Sequence, residues 1–185
     1  MATDSFLNNI DASQLDGLME ETRANVQYFN NTCNQIVSKY SEALDNLMKD
    51  LYVDCIKDSN PTMQTLERYY LELSNMMYFM NEQLEQLGIE SDMAEKMNED
   101  KYSRGYIKAS ELRDENGKKK AVEELKAIAN TGSQYESVQS SIFEHAYKVV
   151  RGKVSSGQSM MDTLRRIIST RTEAMKMDNY HGGNM

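Results

Sequence analysis

Proline occurs once in 185 residues, glycine nine times and tryptophan not at all. Sandwich and barrel folds need a turn signal roughly every 8–12 residues, so this scarcity of breakers excludes an all-β fold. Cys33 and Cys55 are the only cysteines. Two thiols build neither a zinc site nor a CxxC redox motif, and we expect free, buried thiols of a reducing compartment. The two histidines, His145 and His181, are far apart, and neither lies in an HExxH. Nowhere do about 18 apolar residues run together, so no membrane span is expected. The opening MATDSFLNNIDAS lacks the basic and apolar regions of a signal peptide, and the expected location is the cytoplasm.

Nucleotide fingerprints are also missing. Gly117–Lys118 and Gly152–Lys153 lack the upstream glycine of a P-loop, and no G-x-G-x-x-G occurs. Asp114, Asn116, Gly117 and Glu123 fall at EF-hand spacing, but Leu112 would occupy the first ligand position and Lys118, Lys119 and Lys120 would repel a cation. A turn is the better reading. Carboxylate pairs such as Glu20–Glu21 and Glu123–Glu124 sit on polar helix faces with no apolar pocket to shift a pKa. We expect no catalytic residue, no metal and no cofactor.

What is present is helical periodicity. Leu15, Leu18, Val26, Phe29, Cys33, Ile36, Tyr40, Leu44, Leu47 and Leu51 recur in steps of three and four, predicting one helix from Ser13 to the Asp58–Pro61 turn. Leu66, Tyr70, Leu73, Met77, Met80, Leu84 and Leu87 alternate four and three over three heptads, as a coiled-coil seam does. Asn60 and Pro61 suit the start of that helix and Gly88 its end; Ser91 then caps a third helix to about Leu112. A short helix over 118–129 and a long one over 134–177 complete an all-α fold. The expected units are an N-terminal long helix (1–60), central helices with the seam and a basic island (61–132), a C-terminal helix (133–177) and a disordered tail (178–185). Fourteen methionines and 11 tyrosines against 4 phenylalanines point to long, thin interfaces. Helices of this length with narrow apolar stripes call for partner helices, so a homo-oligomer is the expectation.

The net charge of −8 hides a partition. Residues 1–60 carry 10 acids and 4 bases, residues 61–117 carry 12 and 6, and residues 118–185 carry 7 and 11. Lys148, Arg151, Lys153, Arg165, Arg166 and Arg171 give the last helix its basic character. Lys101, Arg104 and Lys108, interleaved with Tyr102 and Tyr106, form a smaller island. Such faces are either solvated or paired with acidic helices of a neighbouring subunit, or else they contact phosphates while a tyrosine stacks on a base. Charge pattern alone leaves both open.

From Leu44 to Ser169 the order of features resembles the bacteriophage UvsY-like recombination-mediator family. LDNLMKDLYVD (Leu44–Asp54) is similar to its opening helix. YYLELSNMMYFMNEQLEQL (Tyr69–Leu87) with IESDM (Ile89–Met93) is similar to the helix that follows. KYSRGYIKASE (Lys101–Glu111) resembles the basic stretch that the family uses on single-stranded DNA, and Ser133–Ser169 resembles its self-associating C-terminal helix. The first 40-odd residues have no counterpart. The resemblance implies a non-enzymatic accessory protein in a phage-infected host cytoplasm. It would be a ring-like homo-oligomer that competes with a single-strand-binding protein and helps load a RecA-like recombinase on single-stranded DNA. DNA contacts would then be Lys101, Tyr102, Arg104 and Lys108, joined by Lys148, Arg151 and Lys153 on the basic last helix. Self-association would use Tyr135, Ile142, Val149, Leu164 and Ile167. The competing expectation is a helical structural protein, a virion component or adaptor, without DNA binding. A third class, a helical secretion chaperone, fits size and acidity alone.

Overall fold

The computed structural model describes residues 12–57, 60–113 and 117–182. Among them are four α-helices: α1 (Ala12–Leu51), α2 (Met63–Glu111), α3 (Val122–Gly132) and α4 (Gln134–Gly182). A π-helical segment, Tyr52–Lys57, prolongs α1. The only β feature among the described residues is an isolated bridge between Arg113 and Lys119. Beside it Gly117 takes a φ of 75°, a conformation that costs glycine little. The expected turn residues Asp58, Ser59 and Asp114–Asn116, and the last three of the expected tail, lie outside the described residues, as do the side chains of Leu15, Leu18 and His181.

Three long helices form the bundle. α2 and α4 have 49 residues each, about 74 Å at 1.5 Å per residue. They run antiparallel: Ser74 meets Met161, Gly88 meets Tyr147, and Lys101 meets Glu136. α1 runs parallel to α4, with Phe29 beside His145 and Asp45 beside Lys153, and antiparallel to α2, with Tyr40 against Glu90. α3 packs on the far end of α2, where Gly105 faces Ala129. Since 105 pairs with 129 as 101 pairs with 136, α3 extends the line of α4. The break between them is one residue wide. The Ser133 N–H donates to the carbonyls of Ala129 and Asn130 at 3.1 and 3.2 Å, and its carbonyl accepts from Ser137 at 2.9 Å.

The seam of α2 is buried inside the chain. Leu66, Leu73, Met80 and Leu87 are fully buried against α1 and α4, together with Leu44, Leu51 and Val150. Long stripes therefore find their partners within one copy, which corrects the premise that such helices demand a second subunit.

Several boundaries differ from expectation. Gly88 does not end a helix; α2 runs through it to Glu111. A Cβ there would lie 3.4 Å from the Tyr147 ring, so the glycine lets α4 approach, and burial of Leu87 and Ala94 on either side outweighs its cost of about 1 kcal/mol in a helix. The start of α2 moves from Asn60 to Thr62, whose Oγ1 accepts the Thr65 N–H at 3.1 Å; such a cap is worth about 1 kcal/mol. α4 also continues past Met177 to Gly182, taking in most of the expected tail.

At the lower end of the bundle Asp54, on the π-helical segment, accepts hydrogen bonds from the Tyr69 hydroxyl at 2.7 Å and from Arg68 at 3.2 Å. Burial first, then this bond, pushes the Tyr69 phenol up to about 12. Its folded-state value lies above the usual value of about 10, so its contribution to stability is complete below pH 10 and is lost as pH rises toward 12. Urea titrations between pH 9 and pH 12 should show this alkaline loss in the wild type and a flatter profile in Tyr69→Phe. In the same assay at neutral pH, Leu73→Ala should cost about 2–5 kcal/mol, whereas Leu71→Ala, at an exposed position, should stay within about 0.5 kcal/mol.

Candidate functional site

The basic island occupies the C-terminal half of α2, but its members do not share a face. Residues two apart on a helix point about 200° from one another. Tyr102 therefore turns toward α3 and α4 while Arg104 points away from them. Tyr102 is half-buried, stacked on Tyr106 with ring centroids 6.5 Å apart and planes at 27°. It lines a polar cleft of about 590 Å³ with Asn98, Ser103, Asn130, Gln134 and Ser137. Lys101 reaches across to Glu136 at 3.3 Å. The Glu136 carboxyl is held below its ordinary range by its own backbone N–H and then by Lys101. Arg104 pairs with Asp100 one turn back at 2.9 Å. Lys108 is exposed. The expected track of cations alternating with rings is thus divided between two sides of α2.

On α4 the cations also separate. Lys153 is drawn into the bundle, where its ammonium donates to Asp45 and, at 2.9 Å, to Ser41 of α1. The residue expected as a DNA contact thus bridges two helices. Arg171 donates to the Pro61 carbonyl and likewise ties α4 to the start of α2. Lys148 is exposed but pairs with Glu144 on its own helix, and the carboxyl of Glu144 is held low by that ammonium. Arg151, Arg165 and Arg166 stay exposed. Arg151 and Arg166 lie on the outward side of α4 in line with Ser155, Ser159 and Ser169, at spacings that keep one face. Asp162 shares that face.

The expected self-association contacts divide as well. Ile142 and Leu164 are 4% and 2% exposed, core residues of the same chain, so their apolar surface is spent within one copy. Val149 packs against that core. Tyr135 and Ile167 are exposed. Tyr135 belongs to an apolar groove of about 610 Å³ between α1 and α4, with Tyr28, Ile36, Val138 and Phe143. Residue patterns did not reveal that groove, because it is lined by residues of α1 and α4 that are far apart in the chain. Tyr28 on one wall, an aromatic residue off the apolar stripe of α1, was the available signal.

Cys33 and Cys55 are free; the first is buried and the second partly so. Burial pushes both thiols up, and Asp54 adds to the effect at Cys55, which disfavours thiolate reactivity. Among the described residues no group of three or more His, Cys, Asp or Glu could hold a metal ion, and no helix is long and apolar enough to cross a membrane. No protein family, curated protein or solved structure matches this chain.

Lys153→Ala should destabilise the fold by about 1 kcal/mol, because Asp45 and Ser41 lose a partly buried partner. Urea denaturation beside Arg151→Ala, expected within about 0.5 kcal/mol of wild type, measures the contrast.

Proposed function

We propose that this chain is a non-enzymatic accessory protein that binds single-stranded DNA as a homo-oligomer and assists loading of a RecA-like recombinase against a single-strand-binding protein. The observation that carries the reading is the outward face of α4. There Arg151 and Arg166, with Arg165 beside them, are exposed and make no ion pair with another described residue. Serine hydroxyls lie between them, and arginines and hydroxyls are the common partners of phosphate oxygens. The spacing from Arg151 to Arg166 covers about 22 Å, enough to follow a strand over several phosphates. Repetition in an oligomer multiplies such a face without new contacts in any one copy. Arg104 and Lys108 on α2 offer a second, smaller set, while Tyr102 in its polar cleft is the candidate for base stacking.

A second reading, a helical structural or adaptor protein, is favoured by a different observation. Lys101, Arg104, Lys148 and Lys153 are each engaged by an acidic residue of the same chain, and the α1–α4 groove is apolar. In this reading the molecule works through protein contacts alone.

Fluorescence anisotropy with labelled oligo-dT across a salt series separates the two. DNA binding predicts log K falling linearly with log salt, and Arg151→Ala with Arg166→Ala should reduce the slope by about 0.7 for each phosphate contact removed. Lys153→Ala should leave the slope unchanged. A folded protein that shows no binding at low salt removes the mediator reading. Light scattering on the same sample tests the oligomer, which a compact monomer would overturn.

A further inference from the structure

α2 carries a second apolar line opposite its buried seam. Ile89, Met93 and Met97 stand at i, i+4 and i+8 and are 64%, 53% and 54% exposed. Leu71 and Tyr78, also exposed, fall on the same side of the helix toward its N-terminus. Isolated exposed apolar residues are ordinary; three on successive turns of one face are a patch.

The charge around this patch is the most one-sided in the chain. Between residues 82 and 100 there are seven acids, Glu82, Glu85, Glu90, Asp92, Glu95, Glu99 and Asp100, and a single base, Lys96. Glu90 accepts from Tyr40 and Asp100 pairs with Arg104. The other five are exposed and form no ion pair with another described residue. Helical spacing puts Glu82 and Asp100 at the two ends of the Ile89–Met97 line and Glu85, Asp92 and Glu99 along one edge.

We infer that this face of α2 is a docking surface for a basic amphipathic helix of a partner protein. Unbranched, polarizable methionine side chains adapt to varied apolar partners, and an amphipathic helix lays its apolar positions on such a surface. Four unpaired carboxylates at the ends and edge of this line, Glu82, Glu85, Asp92 and Glu99, raise the local negative potential, steer a cationic partner and reject an acidic one. The stretch from Glu82 to Asp100 measures about 27 Å, which fits a partner of about five turns. A second copy of this chain is a poor occupant. The outward face of α4, its own basic surface, interleaves arginines with serines; it would meet the carboxylates and leave the methionines uncovered. The inference is independent of DNA binding and stands or falls without it.

The test uses the full chain with 13C-methyl methionine and, as probe, an 18-residue Lys/Leu amphipathic peptide, with its Glu/Leu counterpart as control. Binding of the Lys/Leu peptide should shift the Met93 and Met97 methyl signals and leave buried Met80 unmoved. Anisotropy should show an affinity reduced at least about tenfold in the double variant Met93→Ser, Met97→Ser, with helicity by circular dichroism unchanged. Glu20→Gln with Glu21→Gln, on α1, should bind as wild type does. Equal binding by the serine double variant, or binding of the Glu/Leu peptide, would overturn the inference, because general charge attraction or stickiness would then suffice. Loss of self-association in the serine variant, seen by sedimentation, would equally overturn it by making the face a contact between copies.

Discussion

Met77 of α2 lies over Gly157 of α4, where a Cβ would stand 2.8 Å from its methyl carbon, and Leu44 of α1 reaches the same point at 3.5 Å. At this level side chains of all three long helices meet, and the rest of the register is consistent with it. An antiparallel pair with Met77 on Gly157 brings Tyr147 over Gly88, Met161 to Ser74 and Glu136 to Lys101. The parallel placement of α1 follows from Leu44 and is locked by Lys153 on Asp45. A fully packed interior tolerates no slip of a single residue without loss of many contacts at once, so one glycine and one flexible methionine fix the placement of helices some 74 Å long.

The surfaces that carry the functional proposals are what this register leaves over. α2 touches every other helix, and only its outer side remains free, with the Ile89–Met97 line and its carboxylates. α4 is enclosed on two sides by α1 and α2, and its remaining face carries Arg151, Arg166 and the serines between them. Carboxylates and arginines thus gather on different outer faces of one bundle, while Lys101 and Lys153, near the helix contacts, have been drawn into ion pairs within the chain.

Periodicity made the all-α class and the seam of α2 legible, since burying Leu66, Leu73, Met80 and Leu87 requires that spacing whatever lies opposite. It did not reveal what lies opposite. A stripe that packs on another copy and one that packs on α1 look alike, so the pattern did not contradict the family resemblance that put Ile142 and Leu164 at a subunit contact. Gly88 was misread for a related reason: local preference favours a stop, and only the ring of Tyr147, 59 positions away in the chain, explains its continuation. Charge was legible as composition and poorly legible as surface. Lys148 and Lys153 are neighbours in sequence, but one faces solvent and the other reaches between helices to Asp45. Tyr102 and Arg104, read together as one patch, lie on opposite sides of α2 by simple helix geometry, which the sequence already contained.

The length of the helices has an electrostatic consequence. By the antiparallel register, Asp92 stands level with about residue 143 of α4, so Arg165 and Arg166 lie about 35 Å farther along the rod. Fields in solution at physiological salt decay over about 8 Å, so Asp92 and this pair of arginines are separated by about four screening lengths. A ligand approaching one is nearly blind to the other. The overall charge of −8 is therefore a poor guide to what a partner senses: one bound at Arg165 and Arg166 is screened from Asp92, whereas Arg151, level with about residue 84, stands beside the start of the acidic stretch.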